Sequence, residues 1–200
     1  MKKISWILAM LIVSVVAHAQ EGKAILDKSA AALKSAGNVK IAFTMQSDGV
    51  SQDGYIKLRG QKFVVNMGST ITWYDGKTMW NYVRQNEEVN VTTPSAAQAA
   101  KMNPYVFLTF YKKGYTVKKG TDTKKEHEVV LTGSETTPYK KVVMHINRSN
   151  YYPTRITLTS AKDITTTINC NSLQKNQKYN DATFRFNPKN YPNVEVVDLR

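Results

Sequence analysis

The sequence predicts a mainly β protein: about ten antiparallel strands that curve or close, with two helices covering one side or plugging one mouth. Most of the chain beyond residue 38 alternates large apolar with polar residues, which is the period of a half-buried strand. Helical patterns occupy only residues 21–36 and 104–113. Two helices are too few to wrap such a sheet, and flat open sheets with so many strands are rare.

The first 19 residues have the three parts of a secretory signal. Lys2 and Lys3 give the charged start, residues 4–16 the apolar run, and Ala17-His18-Ala19 a small-residue cleavage site. The residue directly after this site is Gln20 and not a cysteine, so lipid attachment to the new N-terminus is not expected. We therefore predict a cleavable signal over 1–19 and one exported domain over 20–200, with a permanent N-terminal anchor as the weaker alternative.

The two helical segments differ in character. Residues 21–36 carry a modest, alanine-rich apolar stripe suited to close packing on a sheet, and Gly37 ends the helix in a left-handed conformation. The second segment begins at Asn103-Pro104 and ends before Gly114. Its apolar stripe is larger than a surface helix needs and consists of Val106, Phe107 and Phe110, with Met102 one turn earlier if the helix continues through the proline. Such a stripe fits the cover of a cavity, and it equally fits an ordinary core helix.

Residues 54–83 contain the strands around which the chain is organised, and they include an aromatic hairpin. Asp75-Gly76 lies between two aromatic runs, which is a strong hairpin signal. A two-residue turn there would place Trp73 opposite Thr78 and Ile71 opposite Trp80. Alternation then puts Ile71, Trp73 and Trp80 on one broad aromatic face, which some other part of the chain or a ligand must cover.

The C-terminal third returns to strand patterns rich in threonine and β-branched residues. The last of them is TFRFN at 183–187, and a further apolar run follows between Val194 and Leu199. Cys170 lies in one of these patterns and has no partner for an internal disulfide, so we expect a buried, unreactive thiol.

The charge balance favours an anionic partner. The chain has 28 Lys and Arg against 15 Asp and Glu, a net charge of +13. Nucleic acid, phospholipid headgroups and acidic protein surfaces all fit this excess. The lysines, however, are spread in pairs such as Lys112-Lys113, which are typical of solvated strand ends. The export signal argues against nucleic acid, and no nucleic-acid-binding motif is present.

Catalytic chemistry is not supported by the sequence. Beyond the predicted leader the histidines are His127 and His145, and neither adjoins a nucleophile motif. One cysteine and two histidines without ligand spacing predict no zinc site, and no cofactor motif is present. Asp75, like other aspartates here, falls in a turn, where local hydrogen bonding is the usual role. We predict a protein that is not an enzyme and uses no cofactor or metal.

Four segments together resemble the periplasmic outer-membrane lipoprotein carrier proteins, the LolA-like family. They are GYIKLRGQKFVVN at 54–66, YDGKTMWNYV at 74–83, PTRITL at 153–158 and FRFNPKNYPNVEVVD at 184–198. Their order and spacing agree with the family over nearly all of the chain that follows the leader. The resemblance implies a half-open antiparallel β-barrel or curved sheet, closed by helices that form a lid over its concave face.

The same resemblance implies a function. The protein would be a monomeric periplasmic chaperone that binds the acyl chains of lipoproteins, or lipid, in the apolar cavity under the lid. It would receive cargo from an inner-membrane ATP-driven release transporter and deliver it to an outer-membrane acceptor. A LolA-like envelope sensor or scaffold, or a carrier of another anionic lipid, is the alternative. A third hypothesis, a small-molecule enzyme built in the cavity, would need a cluster of buried titratable groups with shifted pKa values, and the sequence supplies none.

Individual site residues follow from the resemblance and from the apolar patterns. Arg59 falls on the family arginine that latches sheet to lid, Phe63 on a cavity phenylalanine and Val65 on the neighbouring tryptophan. Gly60 replaces the proline that follows the arginine in the family. Flexible methionines suit a cavity that changes volume. The predicted cargo-binding set is Phe43, Met45, Leu58, Phe63, Val65, Met67, Ile71, Trp73, Trp80, Met102, Val106, Phe107 and Phe110.

Overall fold

A computed structural model describes residues 2–95, 98–99 and 110–200, with side chains from residue 19 onward except that of residue 110. The chain divides into two compact units. One contains Met1–Leu33 and Phe107–Thr167, and we call it the N-terminal unit. The other, the C-terminal unit, contains Lys34–Val106 and Ile168–Arg200. The predicted helix over residues 104–113, with Met102, Val106 and Phe107, lies almost entirely outside the described residues.

The described residues form one α-helix, twelve strands and several short 3-10 turns. The helix is α1 (Lys2–Ser35). The strands are β1 (Val39–Ser47), β2 (Val50–Arg59), β3 (Lys62–Asn66), β4 (Thr70–Tyr74), β5 (Met79–Val83), β6 (Glu88–Thr92), β7 (Tyr115–Lys119), β8 (Glu126–Gly133), β9 (Tyr139–Asn147), β10 (Pro153–Ser160), β11 (Thr165–Gln174) and β12 (Glu195–Asp198). The 3-10 turns include Phe110–Lys112, Asp181–Phe184 and Pro188–Asn190.

The strands are hydrogen-bonded in the order β12-β6-β5-β4-β3-β2-β1-β11-β10-β9-β8-β7. The end strands of this order are β12 and β7. β12 pairs with β6 in parallel, whereas β1–β6 and β7–β10 are antiparallel meanders. The mainly β fold class predicted from sequence is therefore confirmed, with twelve strands where about ten were expected.

In the N-terminal unit, α1 packs on β7 at a glycine. A Cβ atom built on Gly22 would lie 3.0 Å from the backbone nitrogen of Lys119 and 3.1 Å from Cγ1 of Val117. Buried side chains alternate along β7–β10 on the face that includes Val117, and α1 buries residues at helical spacing. The buried members are Ile25, Leu26, Ser29, Leu33, Val117, Val129, Leu131, Val142, Met144, Ile146 and Leu158.

The helix α1 ends where the sequence predicts. Its last residue is Ser35, and Gly37 has φ +68°, the left-handed conformation that glycine adopts without strain. The helix begins at Lys2, so it continues through the segment predicted to be a signal. Asp27 on α1 accepts a hydrogen bond of 2.5 Å from the hydroxyl of Tyr111 in the Phe110–Lys112 turn. Burial and the neighbouring carboxylate raise the pKa of that hydroxyl.

In the C-terminal unit, the hairpin between β4 and β5 has a longer turn than predicted. Trp73 pairs with Trp80 and Ile71 with Tyr82, so the predicted register is wrong by two residues. The cause is the Asp75 carboxylate, which accepts bonds from the N–H groups of Lys77 (3.0 Å) and Thr78 (2.9 Å) and thereby builds a four-residue turn. A shift by two residues leaves each side chain on the same face, and the predicted face is therefore retained.

The C-terminal segment also differs from its sequence pattern. TFRFN does not form a strand: residues 181–184 form a 3-10 turn and the next residues are irregular. Asn180 begins that turn by accepting a bond from the backbone N–H of Thr183 (3.0 Å), and Asn187 does the same for Lys189 (3.1 Å) before the second turn. The aromatic residues Phe184 and Phe186 alternate with other residues because both side chains pack onto the face of a sheet. The same alternation is typical of a strand that belongs to a sheet, so the sequence pattern does not distinguish the two.

Candidate functional site

One face of β1–β5 in the C-terminal unit is aliphatic and aromatic, and we call it the phenylalanine face. Its buried row joins five strands in direct register: Val39, Leu58, Phe63, Tyr74 and Met79. The rings of Phe63 and Tyr74 lie 5.3 Å apart. Each strand contributes one large side chain to this row because alternation returns an apolar residue to the same side at every second position.

A second row on the phenylalanine face is only half-buried. It consists of Ile41, Ile56 and Val65, which are directly opposite one another in β1, β2 and β3, and we call it the aliphatic row. Beyond it, Phe43 lies opposite Gly54, and a Cβ on Gly54 would meet the Phe43 ring at 2.5 Å. The absence of a side chain at Gly54 therefore lets the Phe43 ring lie flat over β2.

The opposite face of the same strands is covered by the chain's own C-terminal segment. We call it the tryptophan face, defined by Ile71, Trp73, Trp80 and Tyr82. The covering side chains are Tyr179, Phe184, Phe186, Tyr191 and Val194. Together with Val64, Val89 and Val91 they form one hydrophobic core, in which Phe184 is fully buried.

Aromatic contacts account for the fit of this cover. The ring of Tyr191 lies 5.8 Å from Trp73, 5.1 Å from Tyr82 and 5.3 Å from Phe186. Phe186 in turn meets Trp73 at 5.7 Å in an edge-on arrangement. Centroid distances and tilts of this kind are favourable for aromatic pairs, so side-chain contacts bind the segment to the sheet. Its backbone joins the strand hydrogen bonding only at β12.

Arg59 fastens the start of the covering segment. Its guanidinium donates to the carbonyl oxygen of Tyr179 at 2.7 Å, pairs with the carboxylate of Asp181 and lies 5.1 Å from the centroid of the Phe184 ring. Lys62 donates to the same carboxylate at 2.7 Å. The hydrogen bonds from Lys62 and then from Arg59 hold the pKa of Asp181 below its usual value. The partner of Arg59 in the described structure is thus the C-terminal segment.

Asp75, in the turn between β4 and β5, forms a second fastening of the covering segment. Besides its two turn bonds, its carboxylate accepts from Nε of Arg185 at 2.9 Å. The Asp75 side chain is only 9% exposed. Burial by itself would raise the pKa of Asp75, but the N–H groups of Thr78 and Lys77 and the charge of Arg185 outweigh it and hold the pKa below its usual value.

The register divides the predicted cargo-binding residues between the two faces. Phe43, Met45, Leu58, Phe63 and Val65 lie on the phenylalanine face, and Met67 is half-buried in the turn after β3. Ile71, Trp73 and Trp80 lie on the other face, beneath the C-terminal segment. Phe110 begins a 3-10 turn and its side chain is not described. Tyr179, Phe184 and Tyr191 are not among the residues predicted from sequence, although the spacing of the C-terminal aromatic residues is a visible signal.

A polar groove lies beside the covering segment. Its volume is about 580 Å³, and it is lined by Asn38, Gln177, Lys178, Tyr179, Asn180 and Thr183. The groove walls are already tied together, since Asn38 exchanges hydrogen bonds with the backbone of Gln177 at 3.0 and 2.9 Å. The lining is polar, which suits water or a polar ligand better than a hydrocarbon chain.

His127 and His145 of the N-terminal unit each lie beside a charged side chain. Nδ1 of His127 lies 2.9 Å from Asp122, and Nε2 of His145 lies 3.0 Å from the guanidinium of Arg155. Across residues 2–95, 98–99 and 110–200, no group of three or more His, Cys, Asp or Glu side chains has the arrangement of a metal site. In the same part of the chain, none of the helices combines the length and the apolar character needed to cross a membrane.

These elements place the chain in the class of mainly β proteins whose sheet carries a broad apolar face. The sequence profile of one family within that class, described as outer membrane lipoprotein carrier protein LolA, matches residues 12–162. The chain belongs to this LolA family of carrier proteins. No curated protein sequence matches it significantly.

Solved structures are similar in fold at low sequence identity. An uncharacterized conserved protein from Thermus thermophilus has a TM-score of 0.62 at 12% identity, over 89% of this chain and 99% of the other. A putative outer membrane lipoprotein-sorting protein domain from Vibrio parahaemolyticus has 0.49 at 12%, over 84% and 97%. A LolA superfamily protein from Nitrosomonas europaea has 0.42 at 12%, over 82% and 97%. The similarity to the Thermus protein is evidence for the fold of this chain and for nothing further.

Proposed function

We propose that this protein is a periplasmic carrier that holds the acyl chains of lipoproteins against the phenylalanine face. Membership of the LolA family supports a carrier role. Under the same proposal, residues 1–19 are a cleaved export signal, and the protein moves cargo from an inner-membrane ATP-driven transporter to an outer-membrane acceptor. The protein acts without catalysis, as a monomer.

The observation that carries this proposal is the aliphatic row. Ile41, Ile56 and Val65 are half-buried and adjacent on three strands, directly beside the buried row that contains Phe63. Incompletely buried aliphatic side chains next to a complete core are a surface on which a flexible hydrocarbon chain can lie. Burial of such a chain contributes about 0.8 kcal/mol per methylene, so even a partly covered acyl chain is held firmly.

Met45 and Met67 extend the same surface. Both are half-buried, and the unbranched thioether of methionine adapts to irregular or changing shapes. The tryptophan face is a poorer binding surface for cargo because Phe186 and Tyr191 already cover it. We therefore place the acyl chains on the phenylalanine face and keep Met102, Val106, Phe107 and Phe110 as the proposed covering residues.

Arg59 takes part in this proposal as a latch. A guanidinium forms several hydrogen bonds at once and releases them without a proton transfer, which suits a contact that opens and closes. In the described structure it binds the segment around Tyr179 and Asp181. We expect Arg59→Leu to change the rate at which bound lipid is released, because the strand β2 carries both Arg59 and the apolar residues Ile56 and Leu58.

The test is native mass spectrometry of the freshly purified protein, followed by lipid extraction. We expect bound acylated species in the wild type. We expect Val65→Asp to lose them, because burial of a charged carboxylate under a hydrocarbon chain costs free energy. Val50→Asp is the matched control: it makes the same change at a position that is 67% exposed. Circular dichroism of each variant checks folding, and Met45→Asp gives a second test if Val65→Asp fails to fold.

Equal lipid loading of Val65→Asp, Met45→Asp and the wild type would remove the phenylalanine face as the binding surface. Recovery of a protein partner together with a lipid-free chain would instead favour a sensor or scaffold.

A further inference from the structure

Two lysines face each other across the strands β1 and β2 of the C-terminal unit. Lys40 is directly opposite Lys57 in the antiparallel register, where like charges destabilise a strand pair. Both side chains are half-buried, so water and salt screen their repulsion less than on an open surface. The ion pairs found within the described residues include neither lysine.

The two ammonium groups converge on one aromatic ring. Nζ of Lys40 lies 5.3 Å and Nζ of Lys57 lies 5.4 Å from the centroid of Tyr55. Tyr55 packs against the core beneath the C-terminal segment, and its hydroxyl accepts a hydrogen bond from Nδ2 of Asn66 at 3.3 Å. The ring is thus fixed on both sides and acts as a common wall for the two cations.

Asp181 and Asp53, two acids of the same unit, are already engaged. Asp181 is bound by Arg59 and Lys62, which follow Lys57 on the same face of the β2–β3 hairpin. Asp53, two residues before Tyr55 on β2, accepts a bond from the hydroxyl of Thr44 at 2.6 Å. Neither carboxylate neutralises the lysine pair, so the positive charge between β1 and β2 is left without compensation in the described structure.

We propose that Lys40 and Lys57, with the ring of Tyr55 as a wall, bind a phosphate monoester. Each ammonium offers three hydrogen-bond donors, and lysine binds phosphate as a point charge. A phosphate monoester carries a charge of about −1.5 to −2 near pH 7, which is the charge needed to neutralise both lysines and remove their repulsion. A carboxylate would leave one positive charge. The site lies on the face opposite the aliphatic row, so it does not depend on the proposed acyl binding.

Nuclear magnetic resonance titration at pH 7.5 tests this site with inorganic phosphate, with glycerol 3-phosphate, and with phosphatidylcholine vesicles that contain or lack phosphatidic acid. We expect saturable shifts at Lys40, Tyr55 and Lys57. Lys40→Gln with Lys57→Gln should weaken binding on the order of tenfold or more, the loss of charge-assisted bonds. Lys118→Gln with Lys141→Gln removes the same net charge from exposed strand positions and should change it by less than about twofold.

Lys57→Glu separates ligand binding from folding. The glutamate would form a cross-strand ion pair with Lys40 in place of the repulsion, so we expect thermal stability to be kept or raised while phosphate binding is lost. Binding of the small phosphates identifies a free phosphate ester, and binding only to phosphatidic acid vesicles identifies a lipid headgroup. The proposal is overturned by no saturable binding of either kind, by equal weakening in both double variants, or by equally tight binding of polyglutamate.

Discussion

Arg59 joins three different chemical groups of the C-terminal segment. It donates to a carbonyl, pairs with a carboxylate and stacks over a ring, at Tyr179, Asp181 and Phe184. A planar guanidinium can do this and an ammonium cannot, because only the guanidinium combines a fork of donors with a flat face. The family resemblance predicts Arg59 as a latch between the sheet and a helical lid. It does not predict these partners, since 120 residues separate Arg59 from Tyr179.

We expect Arg59→Lys to loosen the segment more than Asp181→Asn does. The lysine keeps the charge but loses the combined carbonyl and ring contacts, whereas Asp181 is 66% exposed and an exposed ion pair contributes little. Hydrogen exchange of the amides around residues 179–184 measures the difference. Slower or equal exchange in Arg59→Lys compared with Asp181→Asn would show that the exposed ion pair is the main fastening.

The environment of Cys170 agrees only in part with the expectation from sequence, because the residue is half-buried where a buried thiol was expected. It lies within β11, and burial raises the pKa of its thiol to about 11, so little thiolate exists near neutral pH. We expect reaction with a disulfide reagent at pH 8 to be slow in the folded protein and fast in urea. Fast, stoichiometric labelling without denaturant would show that the Cys170 thiol is accessible and reactive in the folded protein.

At the scale of elements, alternation predicted strands well and predicted their environment poorly. The strands β1–β5 fall where apolar and polar residues alternate, because that period is set locally by the pleat. The segment of Phe184 and Phe186 alternates too, yet it covers a sheet and joins none, and only the aromatic surface of a distant hairpin decides this. Local pattern therefore determined which face is aromatic, and the long-range packing that covers it could not be read from the sequence.

The cover over the tryptophan face depends on Tyr191. Its ring contacts Trp73, Tyr82 and Phe186, and truncation to alanine would open a cavity in a cluster bound chiefly by side chains. We expect Tyr191→Ala to lower the free energy of unfolding by about 2 kcal/mol, below the range for fully buried aromatic residues because Tyr191 is half-buried. Urea unfolding followed by tryptophan fluorescence measures this.

Leu199→Ala provides the comparison, since Leu199 is 61% exposed and its loss should cost less than about 0.5 kcal/mol. Equal effects of the two truncations would mean that the aromatic cluster does not hold the segment.

The contact between α1 and β7 depends on the absence of a side chain at Gly22. Helix propensity alone favours alanine there by about 1 kcal/mol. The space does not allow it, because the added Cβ would lie 3.0 Å from a backbone nitrogen, which cannot turn away as a side chain can. We expect Gly22→Ala to lower the thermal midpoint. Lys23→Ala, at the adjacent exposed helix position, should leave it nearly unchanged, and a higher midpoint in Gly22→Ala would show that propensity wins.

At the scale of the molecule, the net charge of +13 conceals a set of carboxylates that stabilise the fold near neutral pH. The pKa values of Asp75, Asp122, Asp181 and Asp198 are all lowered by hydrogen bonds and neighbouring cations. A carboxyl group with a lowered pKa in the folded state takes up its proton more readily after unfolding. Its stabilisation is therefore complete above the ordinary value of 3.8 and is lost as the pH falls below it.

Asp75 should account for a measurable part of this acid sensitivity because it is the least exposed and joins the hairpin turn to the covering segment through Arg185. We expect the free energy of unfolding, measured in urea between pH 5 and pH 2, to fall less steeply in Asp75→Asn than in the wild type. The variant should also be less stable at pH 7, where the charge of Asp75 is bound. Asp48→Asn removes a carboxylate from an exposed turn and serves as the control. An unchanged slope in Asp75→Asn, with the fold intact, would assign the acid sensitivity to the more exposed ion pairs, such as that of Asp181 with Arg59 and Lys62.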